Sequence, residues 1–328
     1  MRIAQVAPLY EAVPPKYYGG TERVVSYLTE ELVRQGHRVT LFASGDSVTR
    51  AELVPICPQA LRLDRACVDR VAPHVVMLEK VLQAADRFDV IHFHIDYLHF
   101  PLTRRIDVPH VTTLHGRLDA PELRSVYDEF SDVPVVSISD AQRRPMPQAN
   151  WQATVYHGLP PGLYRHHDRP GDYLAFLGRV SAEKRIDRAL EIARRTGLRL
   201  KVAAKIDAAD ADYFRTVEPF LKSPEVEFVG EIGERDKGTF LGGARALLFP
   251  IDWPEPFGLV MIEAMRCGTP VIAWPCGSVP ELIEDGLTGF VVNSIDDAVR
   301  AVQSVGEIDR RRCRGVFEER FSVSRMAA

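Results

Sequence analysis

Two consecutive α/β domains, each built on a parallel sheet, are what this sequence predicts, and three observations carry that expectation. Strand-length apolar runs alternate with amphipathic helical stretches along the whole chain, the pattern of parallel strands joined by helical crossovers. The alternation is interrupted by HGLPPGLYRHHDRPG over 157–171, rich in Pro, Gly and charge, which reads as a linker. The length of 328 residues suffices for two domains of ordinary size, each with its own core.

In the first half the expected strands are 3–8, 38–42, 90–94, 110–114, 135–138 and 154–156. Between the first two, the stretch 21–35 places Val24, Val25, Tyr27, Leu28, Leu32 and Val33 on a helical face, and Gly36 stops that helix. After the linker a second series runs through 173–177, 199–203, 227–229, 246–249, 271–273 and 290–292. From 294 onward the pattern is helical, with a charged patch at 310–314. The domains expected are 1–160, 161–305 and a helical tail over 306–328 that packs toward the first domain. Ligands of such halves bind at the C-terminal ends of the strands, facing a cleft.

Composition excludes several classes. Hydrophobic residues make up 46% and charged residues 26%, ordinary for a globular protein, and a net charge of -4 supplies no basic field for nucleic acid. Five scattered cysteines without a C-x-x-C pair read as reduced packing residues of a cytoplasmic protein. The opening MRIAQVAPLY reads as a buried strand, since a signal peptide would need a longer apolar stretch. No run approaches bilayer-spanning length, and peripheral membrane contact is left open. A nicotinamide dehydrogenase would carry G-x-G-x-x-G after its first strand, where this chain has P-L-Y-E and then Y-Y-G-G-T. A serine hydrolase would carry G-x-S-x-G, and none is present.

The densest constellation is PEPFGLVMIEAMRCG, 254–268. Glu255 and Glu263 are separated by seven residues, and the second lies in an apolar helical run. A helix starting near Phe257–Gly258 exposes unpaired N–H groups suited to a diphosphate, and Gly258 lets a ligand approach the backbone. Glu263, further inside, is a carboxylate acceptor for a pair of ribose hydroxyls. Taken alone, two such glutamates would be solvated surface residues; the Pro/Phe/Gly context argues otherwise.

This stretch resembles the E-x7-E signature of retaining glycosyltransferases of the family-4 type, which have the GT-B fold. Further motifs agree in order: YGGTE (18–22), IHFH (91–94), TTLHG (112–116), FLGRVSAEKRIDR (176–188) and PCGSVPELIEDGLTGFVV (275–292). The resemblance implies a hexosyltransferase moving a glucose-type sugar from a nucleoside-diphosphate donor, UDP-linked or else GDP-linked, to an acceptor hydroxyl. It assigns Arg179 and Lys184 to the donor diphosphate, where they neutralise the departing charge. Arg185 stands where the family often has Gly, so the local turn is expected to differ. Gly19 and Gly20 supply N–H groups to phosphate. His115 touches the donor sugar, Glu255 with the backbone of Phe257, Gly258, Leu259 and Val260 holds its hydroxyls, and Glu231 with Ile232 faces the base. Asp140 and Glu11 are weaker acceptor-side candidates.

No metal or other cofactor is expected. His92, His94, Asp96 and His99 suggest a metal site on spacing alone, but a similar stretch occurs in the family without a metal. Asp210-Ala211-Asp212 matches D-x-D and reads as a helix-start cap region. The acceptor (glycan, lipid-linked or small molecule) is not legible. A catalytically silent sugar-nucleotide binder would be expected to lose Arg179, Lys184 or Glu263, and all three are present.

Overall fold

A computed structural model describes all residues, Met1–Ala328, and divides them into two compact units: Met1–Pro160 with Val323–Ala328, and Pro161–Ser322. In the first unit the strands are β1 (Arg2–Val6), β2 (Arg38–Ala43), β3 (Glu52–Pro55), β4 (Val90–Phe93), β5 (His110–Thr113), β6 (Pro134–Ser137) and β7 (Asn150–Thr154). They form one parallel sheet in the order β3-β2-β1-β4-β5-β6-β7. In the second unit they are β8 (Tyr173–Arg179), β9 (Arg199–Lys205), β10 (Val226–Gly230), β11 (Ala246–Phe249), β12 (Val271–Ala273) and β13 (Gly289–Val291). Their order is β10-β9-β8-β11-β12-β13, again all parallel. Each sheet is therefore doubly wound, and its order reverses at one place: between β1 and β4, and between β8 and β11. Crevices outside such switch points are where this architecture binds ligands.

The central strands are buried on both faces, so they read as near-continuous apolar runs and fall where the sequence places them. Two edges differ. Strand β3, which the sequence did not suggest, is a partly exposed ELVP pairing only with β2, and its Pro55 argues against a central strand. Strand β7 lies at Asn150–Thr154 instead of 154–156, because NWQAT is a half-exposed edge whose pairing with β6 passes through a bulge at Val135/Val136.

The tail expected over 306–328 divides. Helix Arg310–Arg320 stays in the second unit, packed on helix Leu259–Cys267, with Phe317 and Phe321 buried. The last helix, Val323–Ala327, belongs to the first unit, where Met326 and Ala327 pack with Leu28 and Leu32. There Ser324 Oγ donates to Glu31 (2.8 Å), and Val323 N–H donates to the Leu159 carbonyl (3.0 Å).

Arg310 clamps the second unit from inside. Only 6% exposed, its guanidinium donates to the carbonyls of His167 (2.7 Å), Ala244 (3.0 Å) and Gly242 (2.8 Å), and to Thr269 Oγ1 (2.6 Å). Burial lowers its pKa, and carbonyl oxygens stand in for water around the charge. The linker, the end of helix Glu234–Gly242 and the approach to β12 are thereby joined.

A second buried polar network crosses β1, β4 and β5. Gln5 Oε1 accepts from His94 Nε2–H (2.7 Å), which leaves His94 Nδ1 to accept from His115 Nε2–H (2.9 Å). Gln5 Nε2 donates to His92 Nδ1 (3.4 Å), and His92 Nε2–H donates to Thr113 Oγ1 (2.8 Å). One consistent set of neutral tautomers follows, assigned from the bonding pattern. It leaves His115 Nδ1 unprotonated, and that atom has no hydrogen-bond partner. The His115 ring also stacks on His157 (5.2 Å, 18°). Burial drops His92 to about 4 and His157 to about 3, and holds His94 and His115 well below the ordinary value.

Two outcomes are expected. Arg310→Met strips four acceptors of one buried donor, so the second unit should lose roughly 3 kcal/mol of stability in urea unfolding. The depressed histidines stay neutral in the fold while the unfolded chain takes up protons below about pH 6.5, so their contribution is complete above that value and lost as pH falls toward about 4. Thermal melting should show the first unit weakening steeply between about pH 7 and about pH 5, by up to about 1.4 kcal/mol per pH unit for each histidine. A flat profile over that window would contradict the assignment.

Candidate active site

The second unit gathers its chemistry at the β8/β11 switch point. Strand β8 ends on Gly178 and Arg179, and a tight turn follows in which Lys184 and Arg185 N–H groups donate to the Ser181 carbonyl (3.1 and 3.3 Å). Arg185 takes the left-handed conformation (φ 52°), so the turn has the shape a glycine would give it. Its guanidinium offsets part of that strain by donating to Asp252 (2.6 Å) and Asp187 (2.8 Å).

The turn is stitched to the loop after β11. Asp252 N–H donates to the Glu183 carbonyl (2.9 Å), and Arg188 reaches the Pro250 carbonyl (3.1 Å) and the Asp252 carboxylate (3.1 Å). Within this frame the Lys184 ammonium is hydrogen-bonded to Glu255 Oε2, which also accepts from the Trp253 indole N–H (2.9 Å). The ammonium lies over the rings of Trp253 (5.0 Å) and Phe249 (5.7 Å), and the Lys184 and Glu255 side chains are only 15% and 13% exposed. A cation so placed is partly desolvated, which strengthens its pull on any anion that reaches it. Arg179 bonds to Glu183 and sits 3.4 Å from Asp210.

Helix Leu259–Cys267 begins at Gly258, which is left-handed (φ 81°). A Cβ there would meet Met261 Cε at 2.8 Å, the mobile end of a side chain, so the turn needs glycine for its φ. The loop from β12 buttresses it: Ser278 N–H donates to the Glu255 carbonyl (3.0 Å) and Ser278 Oγ to the Phe257 carbonyl (2.6 Å). A side chain at Gly277 would strike the Glu255 backbone at 2.2 Å. Phe257 is itself a core residue, 2% exposed and edge-on to Phe321, so its side chain is not offered to a ligand. The N–H groups of Leu259 and Val260 have no carbonyl within the helix to bond, so negative charge is favoured at this end. Glu263, 2% exposed, is bonded to Lys237 Nζ (2.8 Å) of helix Glu234–Gly242. Glu231 and Ile232 lie in the connection between β10 and that helix.

In the first unit, Gly19 precedes helix Gly20–Arg34, close enough to Pro15 that a Cβ would sit 2.8 Å from Pro15 Cβ. His115 follows β5, beside a cavity of about 160 Å³ lined by His92, His94, His157, Leu28 and Met326. Glu11 is buried against Arg62 (2.7 Å), and Asp140 accepts from Thr154 Oγ1 (2.6 Å), so both carboxylates have structural partners.

The side chains of His92, His94, Asp96 and His99 do not converge. His92 and His94 share one face of β4, whereas His99 stacks on Phe93 (3.8 Å, 10°) on the other and Asp96 is exposed. Asp210 and Asp212 also separate, since Asp212 is 92% exposed and bonded to Arg215 while Asp210 turns to Arg179. Sequence reasoning passed over Trp253 and Lys237. Trp253 lies two residues before Glu255 and was there to be noticed; Lys237 has no local signal, being 26 residues from its partner.

The family model described as glycosyl transferases group 1 matches residues 166–314, and the one described as glycosyltransferase family 4 matches residues 18–156. An N-acetyl-alpha-D-glucosaminyl L-malate synthase of Bacillus anthracis is 25% identical over 325 residues, covering 88% of this chain and 84% of its own. A phosphatidyl-myo-inositol mannosyltransferase of Propionibacterium freudenreichii is 28% identical over 346 residues, covering 92% of this chain and 85% of its own. Among solved structures, Anabaena Alr3699/HepE in complex with UDP and glucose aligns over 100% of this chain and 97% of its own, with a TM-score of 0.75 at 19% identity, a likeness of fold. With both halves matched in order and the doubly wound sheets in place, the chain belongs to the family-4-type glycosyltransferases of the GT-B fold.

Proposed function

We propose that this glycosyltransferase moves a hexose of the glucose type from a UDP-sugar to an acceptor hydroxyl, with retention at the anomeric carbon and without an essential metal. The observation that carries the reading is the grouping at one switch point of two cations, Arg179 and Lys184, with the open helix end at Gly258–Val260. A diphosphate is the anion such a set suits, held by N–H groups and by charge. UDP is favoured by the complex of the Anabaena protein with UDP and glucose. The mannosyltransferase of Propionibacterium freudenreichii favours a second reading, a GDP-mannose donor on the same site.

In the reaction the bond from the anomeric carbon to the β-phosphate oxygen breaks. The acceptor oxygen bonds to that carbon from the same face, and its proton passes to the departing phosphate oxygen. Arg179 and Lys184 take up the charge that develops on the leaving diphosphate. Glu255, fixed by Lys184 and Trp253, serves as an anchor for donor-sugar hydroxyls, and its engagement argues against use as a nucleophile. Glu263 accepts from the ribose, and Glu231 with Ile232 borders the base. Gly19 and Gly20 offer N–H groups to phosphate, and His115 presents its bare Nδ1 as an acceptor for a sugar hydroxyl. No helix is long and apolar enough to cross a membrane. A cytoplasmic setting, with peripheral membrane contact if the acceptor is lipid-linked, belongs to the same proposal.

Purified protein assayed with a panel of nucleotide sugars should hydrolyse its donor slowly and retain the anomeric configuration in the transfer product. Lys184→Ala is expected to lower kcat by about 10²–10³-fold in protein that still folds, with a melting temperature lowered because Glu255 loses its partner. Wild-type turnover in that variant would sink the assignment. Transfer after exhaustive EDTA treatment should be unchanged, and a loss restored by added Mn²⁺ would contradict the metal-free mechanism.

A further inference from the structure

We infer that Lys237 is a positioning residue that makes the site selective for ribonucleotides, by holding Glu263 in place with one carboxylate oxygen open to the ribose. The inference rests on the reading of Glu263 as the ribose acceptor.

Glu263 lies in a helical stretch that is buried all round, with Met261, Ile262, Ala264 and Met265 beside it in the chain all fully buried. A carboxylate buried there needs a counter-charge. Lys237 supplies the counter-charge at 2.8 Å, and its own side chain is 13% exposed. It occupies Oε1; Oε2 takes no hydrogen bond from the chain. A carboxylate with one oxygen pinned and one open keeps a fixed rotamer and a strong acceptor for a ribose hydroxyl.

Lys237 also ties two elements that the nucleoside needs together. Its helix, Glu234–Gly242, starts directly after the Glu231–Ile232 connection assigned to the base, while Glu263 belongs to the helix assigned to phosphate and ribose. The two helices pack on each other, and the Lys237–Glu263 pair lies across that contact.

The test is calorimetric binding of UDP and 2′-deoxyUDP, and of GDP and 2′-deoxyGDP, to the wild type, Glu263→Gln, Lys237→Met and Lys237→Arg. Wild type should favour the ribonucleotide, and Glu263→Gln should abolish that preference. If neither holds, the ribose reading of Glu263 fails, whatever Lys237 does. Given both, Lys237→Met should bind the ribonucleotide about tenfold more weakly at neutral pH while its 2′-deoxy affinity stays unchanged. A merely structural lysine would move the ribonucleotide and 2′-deoxy affinities together. Lys237→Arg should keep most of the preference, and it carries the comparison if Lys237→Met does not fold. An unchanged preference in Lys237→Met, or tighter ribonucleotide binding because the lysine had blocked the ribose seat, would overturn the inference. So would loss of the preference in Lys237→Arg with the fold intact.

Discussion

The ion pair between Lys184 and Glu255 is the constraint on which the second unit's chemistry depends. It joins the turn after β8 to the loop after β11, across the place where the sheet order reverses. Around it every partner is doubly engaged: Trp253 covers the ammonium and donates to the carboxylate, and the Glu255 backbone accepts from Ser278. A pair this covered would be costly if either member were lost, because the other would be left as a partly desolvated charge. The same covering keeps Lys184 strongly attractive to an anion.

Neighbouring features follow from the need to hold that pair steady. Arg185 accepts a left-handed backbone so that the turn can present Lys184, and Asp252 and Asp187 hold its guanidinium. Gly258 and Gly277 keep the loop narrow on both sides of Glu255, one by its φ, the other because any side chain would strike backbone. Arg310 performs a comparable service deeper in the unit, where carbonyl oxygens hold a buried guanidinium without a carboxylate. The first unit relies instead on neutral imidazoles, and the Gln5 amide decides which nitrogen of each ring carries its proton.

Much of this was legible from residues alone. The buried strands of both sheets were found because parallel strands covered on two faces are written as unbroken apolar runs. The glycine-to-glutamate segment from Gly258 to Glu263 was found because a helix start after glycine has a fixed local spacing. Strands β3 and β7 were missed or displaced because edge strands bury only one side and carry polar residues and proline without penalty. Arg185, where the family often has glycine, takes a left-handed backbone that composition alone does not suggest, and its ion pairs hold it there.

Residue order by itself determined two α/β units, the linker near 157–171, and which short segments carry the charged and glycine-rich chemistry. Those properties are local, set by periodicity and spacing within a few turns of chain. Tertiary structure alone decided the partners: Lys184 with Glu255, Lys237 with Glu263, Gln5 with His92 and His94, and Asp210 with Arg179. Such partnerships join residues tens of positions apart, and no sequence period encodes them. They arise when doubly wound sheets and the helices packed on them bring separate segments together, where polar groups left unpaired by burial must find their complements.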